Sequence, residues 1–211
     1  MSNVYLKAWH GGLGDALQFS TLPEEFSKQQ GRRTYILEDA PFRNSGIYDL
    51  VWGQNPFVLG KRKGTWNAGD LPEIPYRKDG FLDINGTGNM ISNWEKFHGL
   101  KPKNKYPKIY YHPEKHDDMR DIFIVDFSST TVSDDPVKLS EILEILRKEY
   151  SDKKFISVEF SDINVKKCFN NNIKFDGYIE VENIFRYCDL ISSVYGYVSL
   201  HSGGTHLSSA L

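Results

Sequence analysis

An acidic residue lies in a glycine-rich turn near the N-terminus, where GGLGDAL occupies residues 11–17. The turn follows the apolar segment VYLKAW, which is typical of a strand, and precedes a segment typical of a helix. Strand-to-helix turns of this kind often bind phosphate, because a helix N-terminus attracts anions. Asp15 would repel a phosphate there. Two interpretations stay open: its carboxylate is a base toward a hydroxyl group, or it only complements the helix dipole, which contributes roughly 0.3–1 kcal/mol.

A second glycine-bearing turn lies near the C-terminus, in HSGGTHLSSAL at residues 201–211. Residues 202–205 stand between a predicted strand and a predicted helix, so backbone N–H groups and two hydroxyls would face the strand ends. Such a turn can bind phosphate, and the alternative is an ordinary turn in which Ser202 caps the helix. One acidic and one anion-accepting turn, in two similar halves, predict that one half supplies a base and the other binds a nucleotide.

Strands alternate with helices along the chain, which is the pattern of a parallel α/β fold. The predicted strands are VYLKAW (4–9), RTYILED (33–39), YDLVWG (48–53), GFLDIN (80–85), IFIVDF (122–127), KFISVEF (154–160) and YGYVSLH (195–201). The predicted helices are DALQFSTLPEEFSKQQG (15–31), NMISNWEKFHGL (89–100), DPVKLSEILEILRKEY (135–150), VENIFRYCDLISSV (181–194) and a last one that includes SGGTHLSSAL (202–211).

Two local patterns give further expectations. In the helix at 135–150, apolar side chains recur at the spacing of one buried face, at Leu139, Ile142, Leu143 and Leu146. Between residues 53 and 80 the periodicity fades and Gly, Pro and Trp become frequent, which predicts a loop-rich surface.

The order of elements predicts two Rossmann-like domains. The expected N-terminal domain spans residues 1–105, a basic, proline-bearing linker spans 106–120, and the expected C-terminal domain spans 121–211. A doubly wound domain usually follows a helix such as the last one with another strand and helix, which complete the sheet. The second domain is therefore expected to be truncated at its C-terminus.

Composition excludes several classes of protein. The chain has 211 residues, a net charge of −2 and a pI near 6.3, with basic and acidic residues interspersed, so nucleic acid is not an expected partner. Cys168 and Cys188 have no CxxC or histidine companions, which predicts reduced thiols and no metal site. There is no signal-peptide pattern and no membrane-length apolar run, which predicts a soluble cytoplasmic protein.

The two turns resemble the paired motifs of glycosyltransferase family 9, the ADP-heptose:lipopolysaccharide heptosyltransferases. GGLGDALQFSTLP and YGYVSLHSGGTHLSSAL carry the resemblance, with NWEKFHGL where the family ends its first domain. It implies a GT-B fold, with Asp15 as the general base and glycan or lipopolysaccharide-type acceptors. It also implies that a nucleotide-diphosphate sugar, with heptose as one candidate sugar, is bound by Ser202, Gly203, Gly204, Thr205 and His206.

Further candidate contacts lie at the ends of other predicted strands. On the acceptor side they are Gly12, Gly14, Asn85, Thr87 and Asn89, although Asn89 can equally be a helix cap. On the donor side they are Ser128, Ser129 and Thr130. The family often has an aspartate where this chain has His201, and a basic residue where it has the segment SSTTVSDDPVK, so the donor's identity stays open.

The predicted chemistry is inverting glycosyl transfer without metal or other cofactor, because no Asp-x-Asp motif is present to hold a cation between phosphates. Two alternatives remain. One is a non-catalytic module that binds a nucleotide or nucleotide sugar. The other is a nicotinamide oxidoreductase, with Glu38 or Asp39 as the ribose-binding acid, but Leu17 stands where its fingerprint requires a glycine. The oligomeric state is not predicted.

Overall fold

The computed structural model describes residues 2–71, 89–129, 136–161, 166–167, 173–200 and 202–211. The chain divides into two compact units, an N-terminal unit up to Tyr111 and a C-terminal unit from His112 to Ser209. None of the helices in these ranges has the length and apolar character that crossing a bilayer requires.

The N-terminal unit is built on a four-stranded sheet. Its elements in chain order are β1 (Val4–Lys7), α1 (Leu13–Gln18), α2 (Leu22–Gln30), β2 (Thr34–Leu37), α3 (Ser45–Tyr48) with a π-helical continuation (Asp49–Gly53), β3 (Val58–Arg62), β4 (Ala68–Gly69) and α4 (Met90–Phe97). The strand order is β3-β2-β1-β4, and every pairing is parallel. Val4 and Leu6 of β1 point into the core, where Phe19 and Trp94 pack edge to face at 4.7 Å.

The C-terminal unit repeats this plan. Its elements are a 3₁₀ turn (Asp117–Met119), β5 (Ile122–Asp126), β6 (Ser128–Ser129), α5 (Pro136–Glu149), β7 (Lys154–Phe160), β8 (Lys166–Lys167), β9 (Gly177–Val181), α6 (Ile184–Ser193), β10 (Gly196–Ser199) and α7 (Gly203–Ser208). The main sheet has the order β10-β5-β7-β9 and is entirely parallel, while β6 and β8 form a separate antiparallel pair. Counted within each unit, both sheets read 3-2-1-4, which matches the first four positions of the Rossmann order 3-2-1-4-5-6.

The segment predicted as one helix over 15–31 is two helices. α1 ends at Gln18 and α2 begins at Leu22, with Pro23 in its first turn. Proline lacks the N–H that a continuous helix would need at this position, but it fits a first turn, where no intrahelical acceptor exists. The prediction located the apolar face correctly, since Phe19, Leu22 and Phe26 are all buried.

The predicted strand YDLVWG is wrong, because these residues are helical. Leu50, Val51 and Trp52 are consecutive and all buried, so the run carries no period that separates a strand from a buried helix. The expected loop-rich region beyond it contains β3 and β4, and the predicted strand GFLDIN lies outside the described residues.

The C-terminal unit differs from expectation at two places. Leu139 and Leu143 of α5 are buried as predicted, but Ile142 is 45% exposed and lies outside the core. Strand β9, with the alternating sequence GYIEV, was not predicted. Cys188 is buried in α6, and burial raises the pKa of its thiol to about 12, while Cys168 lies outside the described residues.

Candidate functional site

In each 3-2-1-4 sheet the strand order changes direction between the strand that comes first in the chain and the strand that comes fourth. In open parallel sheets, ligands bind at the carboxyl ends of the strands at this reversal. In the N-terminal unit these are the ends of β1 and β4, and in the C-terminal unit the ends of β5 and β10. The acidic turn (residues 11–15) follows β1, and the Ser202 turn (residues 202–205) follows β10. Each turn thus lies at the ligand-binding edge of its own sheet.

The acidic turn depends on glycine at its first position. Gly11 has φ = 65°, and a Cβ atom there would approach the Pro41 carbonyl oxygen to 2.5 Å. The same close approach lets the Gly11 carbonyl accept a hydrogen bond from the Arg43 N–H at 3.0 Å. The loop after β2 is thereby fixed against the turn.

The Asp15 carboxylate caps the N-terminus of α1. Asp15 is the third residue of α1, and its Oδ2 accepts a hydrogen bond from the Gly12 N–H at 2.9 Å. No residue in the described part of the chain donates to its other oxygen. Arg43 lies beside the same glycine, where its Nε donates to the His10 carbonyl at 3.2 Å. One oxygen of the half-buried Asp15 carboxylate is thus hydrogen-bonded within the turn, and the Arg43 guanidinium lies nearby. Gly14 lies in the same first turn of α1.

The end of β4 contributes a carboxylate that sequence reasoning missed. Asp70 is 2% exposed, and both of its oxygens accept from the Trp9 N–H, at 2.8 and 2.9 Å. His98 packs next to it, with Nε2 at 3.2 Å from the Gly69 backbone N. Burial lowers the pKa of His98 to about 4, so the ring is neutral at pH 7. Asp70 stands in the segment that lacked periodicity, so only its acidic side chain after a Gly could have pointed to it.

The predicted acceptor contacts are only partly described. Asn85 and Thr87 lie outside the described residues. Asn89 caps α4, because its Oδ1 accepts from the Ser92 N–H at 3.1 Å, and its Nδ2 donates to the Lys105 carbonyl at 2.6 Å. Its amide is thus engaged in the fold, and a contact with substrate stays a prediction.

The Ser202 turn is held by a threonine where the acidic turn has its aspartate. Thr205 is the third residue of α7, and its Oγ1 accepts from the Ser202 N–H at 3.3 Å and donates to the Leu200 carbonyl at 2.6 Å. The first turn of α7 contains no acidic residue. The Ser202 hydroxyl oxygen is buried and has no partner among the described residues. The turn therefore combines a hydroxyl that lacks a described partner with the backbone N–H groups of a helix start, and its first turn has no carboxylate.

A buried polar network lies beneath this turn. Asp126, at the end of β5, is 4% exposed, and its Oδ2 accepts from the Tyr187 hydroxyl at 2.5 Å and from the Tyr197 hydroxyl at 3.2 Å. Its Oδ1 accepts from the Ser128 N–H at 3.0 Å and from the Ser128 hydroxyl. A Cβ atom at Gly204 would overlap both tyrosine hydroxyls, so only glycine allows α7 to begin here.

Burial and the Asp126 charge both raise the pKa of Tyr187 and Tyr197 well above the usual value, so the two phenols stay protonated and act as donors. Sequence reasoning missed this network, although an acid that ends the apolar strand IFIVDF was a signal for it. Of the other predicted donor contacts, Ser129 is in β6, Gly203 and His206 are in α7, and Thr130 lies outside the described residues.

No family model and no curated protein sequence matches the chain. Three solved structures are similar in fold. The iron-containing dodecameric glycosyltransferase TibC from enterotoxigenic E. coli H10407 is 14% identical, with a TM-score of 0.62, over 99% of this chain and 55% of TibC. TibC in complex with ADP-D-beta-D-heptose, described as an iron-containing heptosyltransferase, gives 15% identity and a TM-score of 0.65, over 98% and 54%.

The third structure is E. coli ADP-heptose lps heptosyltransferase II, with 10% identity and a TM-score of 0.52, over 100% of this chain and 82% of the enzyme. The chain thus spans about half the length of TibC. Among the described residues, no group of three or more His, Cys, Asp or Glu side chains is placed to hold a metal ion. At identities this low the likeness establishes the fold alone: the chain has an α/β fold similar to that of heptosyltransferases.

Proposed function

We propose that the chain is an inverting glycosyltransferase of the GT-B type, which transfers a sugar from a nucleoside-diphosphate donor to a hydroxyl of a glycan acceptor. The observation that carries the proposal is the contrast between the two turns. Both follow strands at the reversal points of 3-2-1-4 sheets, but one holds a carboxylate and the other holds hydroxyls and backbone donors. The fold likeness to heptosyltransferases supports the same reading.

The N-terminal unit would activate the acceptor. One Asp15 oxygen has no described donor. It takes the proton of the acceptor hydroxyl while the oxygen of that hydroxyl attacks the anomeric carbon of the donor sugar. The bond between Gly12 and the other oxygen keeps the carboxylate in one orientation during this step. Gly12, Gly14 and the residues at 85–89 remain the proposed acceptor contacts, and heptose remains one candidate for the transferred sugar.

The C-terminal unit would bind the donor. As the new glycosidic bond forms, the bond from the anomeric carbon to the diphosphate oxygen breaks, and the electron pair leaves with the nucleoside diphosphate. The Ser202 hydroxyl and the backbone N–H groups of Gly203 and Gly204 would stabilise this charge. No step requires a metal ion, and none is assigned to one.

A second candidate function is a module that binds a nucleotide sugar without turnover. The observation in its favour is that the Asp15 carboxylate already has a structural role as a helix cap. The nicotinamide alternative gains no such support, because Leu17 stands where its fingerprint requires a glycine.

A thermal-shift panel of nucleoside diphosphates, nucleotide sugars and NADH tests the proposal. A ligand at one hundred times its Kd stabilises the native state by about 2.7 kcal/mol, so a true donor gives a clear increase in Tm. The stabilising nucleotide sugar is then incubated with a panel of glycans, and release of the nucleoside diphosphate is measured. Stabilisation without release in the presence of any glycan would favour the binding module, and stabilisation by NADH alone would refute both.

A further inference from the structure

Trp9 is a large aromatic residue that the core does not use. Its side chain is 56% exposed, whereas Trp52 and Trp94 are each 1% exposed. The Trp9 ring is stacked on that of Trp66, with centroids 5.6 Å apart and planes 4° from parallel. The pair forms a flat apolar surface immediately after β1, two residues before the acidic turn.

Hydrogen bonds to β4 and to the residue after it hold the two tryptophans in place. The Trp9 backbone N–H is held by the buried Asp70 carboxylate. The Trp66 ring nitrogen donates to the Ala68 carbonyl at 2.9 Å, so the Trp66 ring is anchored to β4, and the Trp9 ring is held by stacking on it. The segment before Trp66 lies flat against Tyr5, since a Cβ atom at Gly64 would overlap that ring. Anchored rings lose little conformational freedom on binding a ligand.

Polar groups border this surface. The Lys7 ammonium lies 5.7 Å from the Trp9 centroid and 5.3 Å from the Trp66 centroid, and its side chain is only 12% exposed. It donates to the Asp39 carboxylate at 2.7 Å, and Asp39 is 72% exposed. The surface thus combines a flat apolar face with a charged, accessible hydrogen-bonding rim.

We propose that Trp9, supported by Trp66, is the surface on which a sugar ring of the acceptor stacks, with the exposed Asp39 carboxylate accepting bonds from the sugar hydroxyls. This inference rests on the proposed function and names the residue on which the saccharide ring of its acceptor stacks. The apolar C–H face of a pyranose is flat and matches an indole, and its equatorial hydroxyls require polar partners at the rim. Trp9 follows β1 and precedes the acidic turn, so the proposed stacking surface and the proposed base belong to the same strand-to-helix connection.

Indole N–H signals of the ¹⁵N-labelled protein give a test that needs no turnover. The chain has four tryptophans, and the Trp9→Phe variant identifies the signal of Trp9. The probes are methyl β-glucopyranoside, methyl β-galactopyranoside, methyl α-mannopyranoside and N-acetylglucosamine, with a serine-containing peptide as a competitor class. We expect a saccharide to shift the Trp9 signal and leave those of Trp52 and Trp94 in place. Shifts by the peptide but by no saccharide would overturn the saccharide assignment, and no shift of Trp9 by any probe would overturn the site.

Variants supply the second measurement. Trp9→Ala should weaken binding of the shifting saccharide about tenfold, and Trp9→Tyr should restore most of it, because a flat aromatic face returns. Tyr178→Ala, at an equally exposed aromatic residue of the C-terminal unit, is the matched control and should have no effect. In transfer assays Trp9→Ala should increase the acceptor KM and leave kcat unchanged.

The outcomes separate the site from the function. A saccharide shift of Trp9 without transfer from any nucleotide sugar would support the stacking site and refute the proposed function. Transfer with an unchanged acceptor KM in Trp9→Ala would support the function and refute the stacking site.

Discussion

Replacing Asp15 with asparagine separates its two roles, because the amide preserves the cap and removes the base. The bond between Asp15 Oδ2 and the Gly12 N–H is 2.9 Å long and charge-assisted. Asparagine can still accept from Gly12 through its amide oxygen, but it loses the charge that complements the helix dipole. The expected cost is about 1–2 kcal/mol of unfolding free energy, which corresponds to roughly 2–8 °C in Tm for a chain of this size.

Catalysis should respond on a different scale. An asparagine accepts no proton from the attacking hydroxyl, so the loss of general-base catalysis should decrease kcat by roughly 10²–10⁴-fold, with donor affinity nearly unchanged. Such a decrease corresponds to about 2.7–5.5 kcal/mol in the activation barrier, which exceeds the structural term.

The assay measures release of nucleoside diphosphate at saturating donor, with Tm and nucleotide binding measured on the same samples. Asp15→Ala removes both cap and base, so it should be less stable than Asp15→Asn but equally inactive. Asp152→Asn, at an exposed residue of the C-terminal unit, is the matched control. Turnover by Asp15→Asn at the wild-type rate would refute the base and leave Asp15 as a helix cap.

Three further predictions concern the donor turn, metal dependence and acid stability. Thr205→Asp places an acid at the third position of α7, as Asp15 does in α1, so it should decrease nucleotide affinity by at least about tenfold. Tm should also decrease, because an aspartate cannot donate to the Leu200 carbonyl as the Thr205 hydroxyl does. Unchanged affinity in isothermal titration would contradict the donor assignment. Nucleotide stabilisation in thermal-shift assays should be the same with and without EDTA, and its loss in EDTA would show that a cation takes part. Burial lowers the pKa of His98 from 6.5 to about 4, so on acidification the unfolded chain takes up a proton at His98 before the native state does. The native state therefore keeps its full stability above pH 6.5 and loses part of it as the pH falls from 6.5 toward 4. Denaturation at pH 7 and pH 5 should show a smaller pH dependence for His98→Gln than for the wild type, and an equal dependence would exclude His98 as its source.

Strands with a clear pattern could be predicted from the sequence. The apolar segments that contain β1, β2, β5 and β7 were located, because each is buried on the sheet and bounded by turn residues. The helical segment YDLVWG was mistaken for a strand, because three consecutive buried residues satisfy either structure. Ile142 has the spacing of a buried residue, yet it is 45% exposed, whereas Leu139 and Leu143 of the same helix are buried.

The candidate site was less accessible to sequence reasoning. The two turns could be predicted because glycine between a predicted strand and a predicted helix permits the backbone conformation of a tight turn. Asp70 and Asp126 could not be assigned, because each takes its role from residues far along the chain. Asp70 binds the backbone of Trp9, and Asp126 binds Tyr187 and Tyr197. The exposure of Trp9 could not be predicted either, because burial of an indole depends on the fold and not on its local sequence.

The shared 3-2-1-4 order cannot by itself assign the two substrates, because each unit offers the same kind of edge. The assignment follows from one residue in each turn. In α1 the third residue is Asp15, so the anion-attracting start of the helix is already occupied by the chain's own carboxylate. In α7 the same bond to the preceding N–H is made by the neutral hydroxyl of Thr205, which leaves the charge of a diphosphate unopposed there. On the proposed assignment, an incoming anion would therefore be repelled by the first turn and attracted by the second, and the first turn would supply the base.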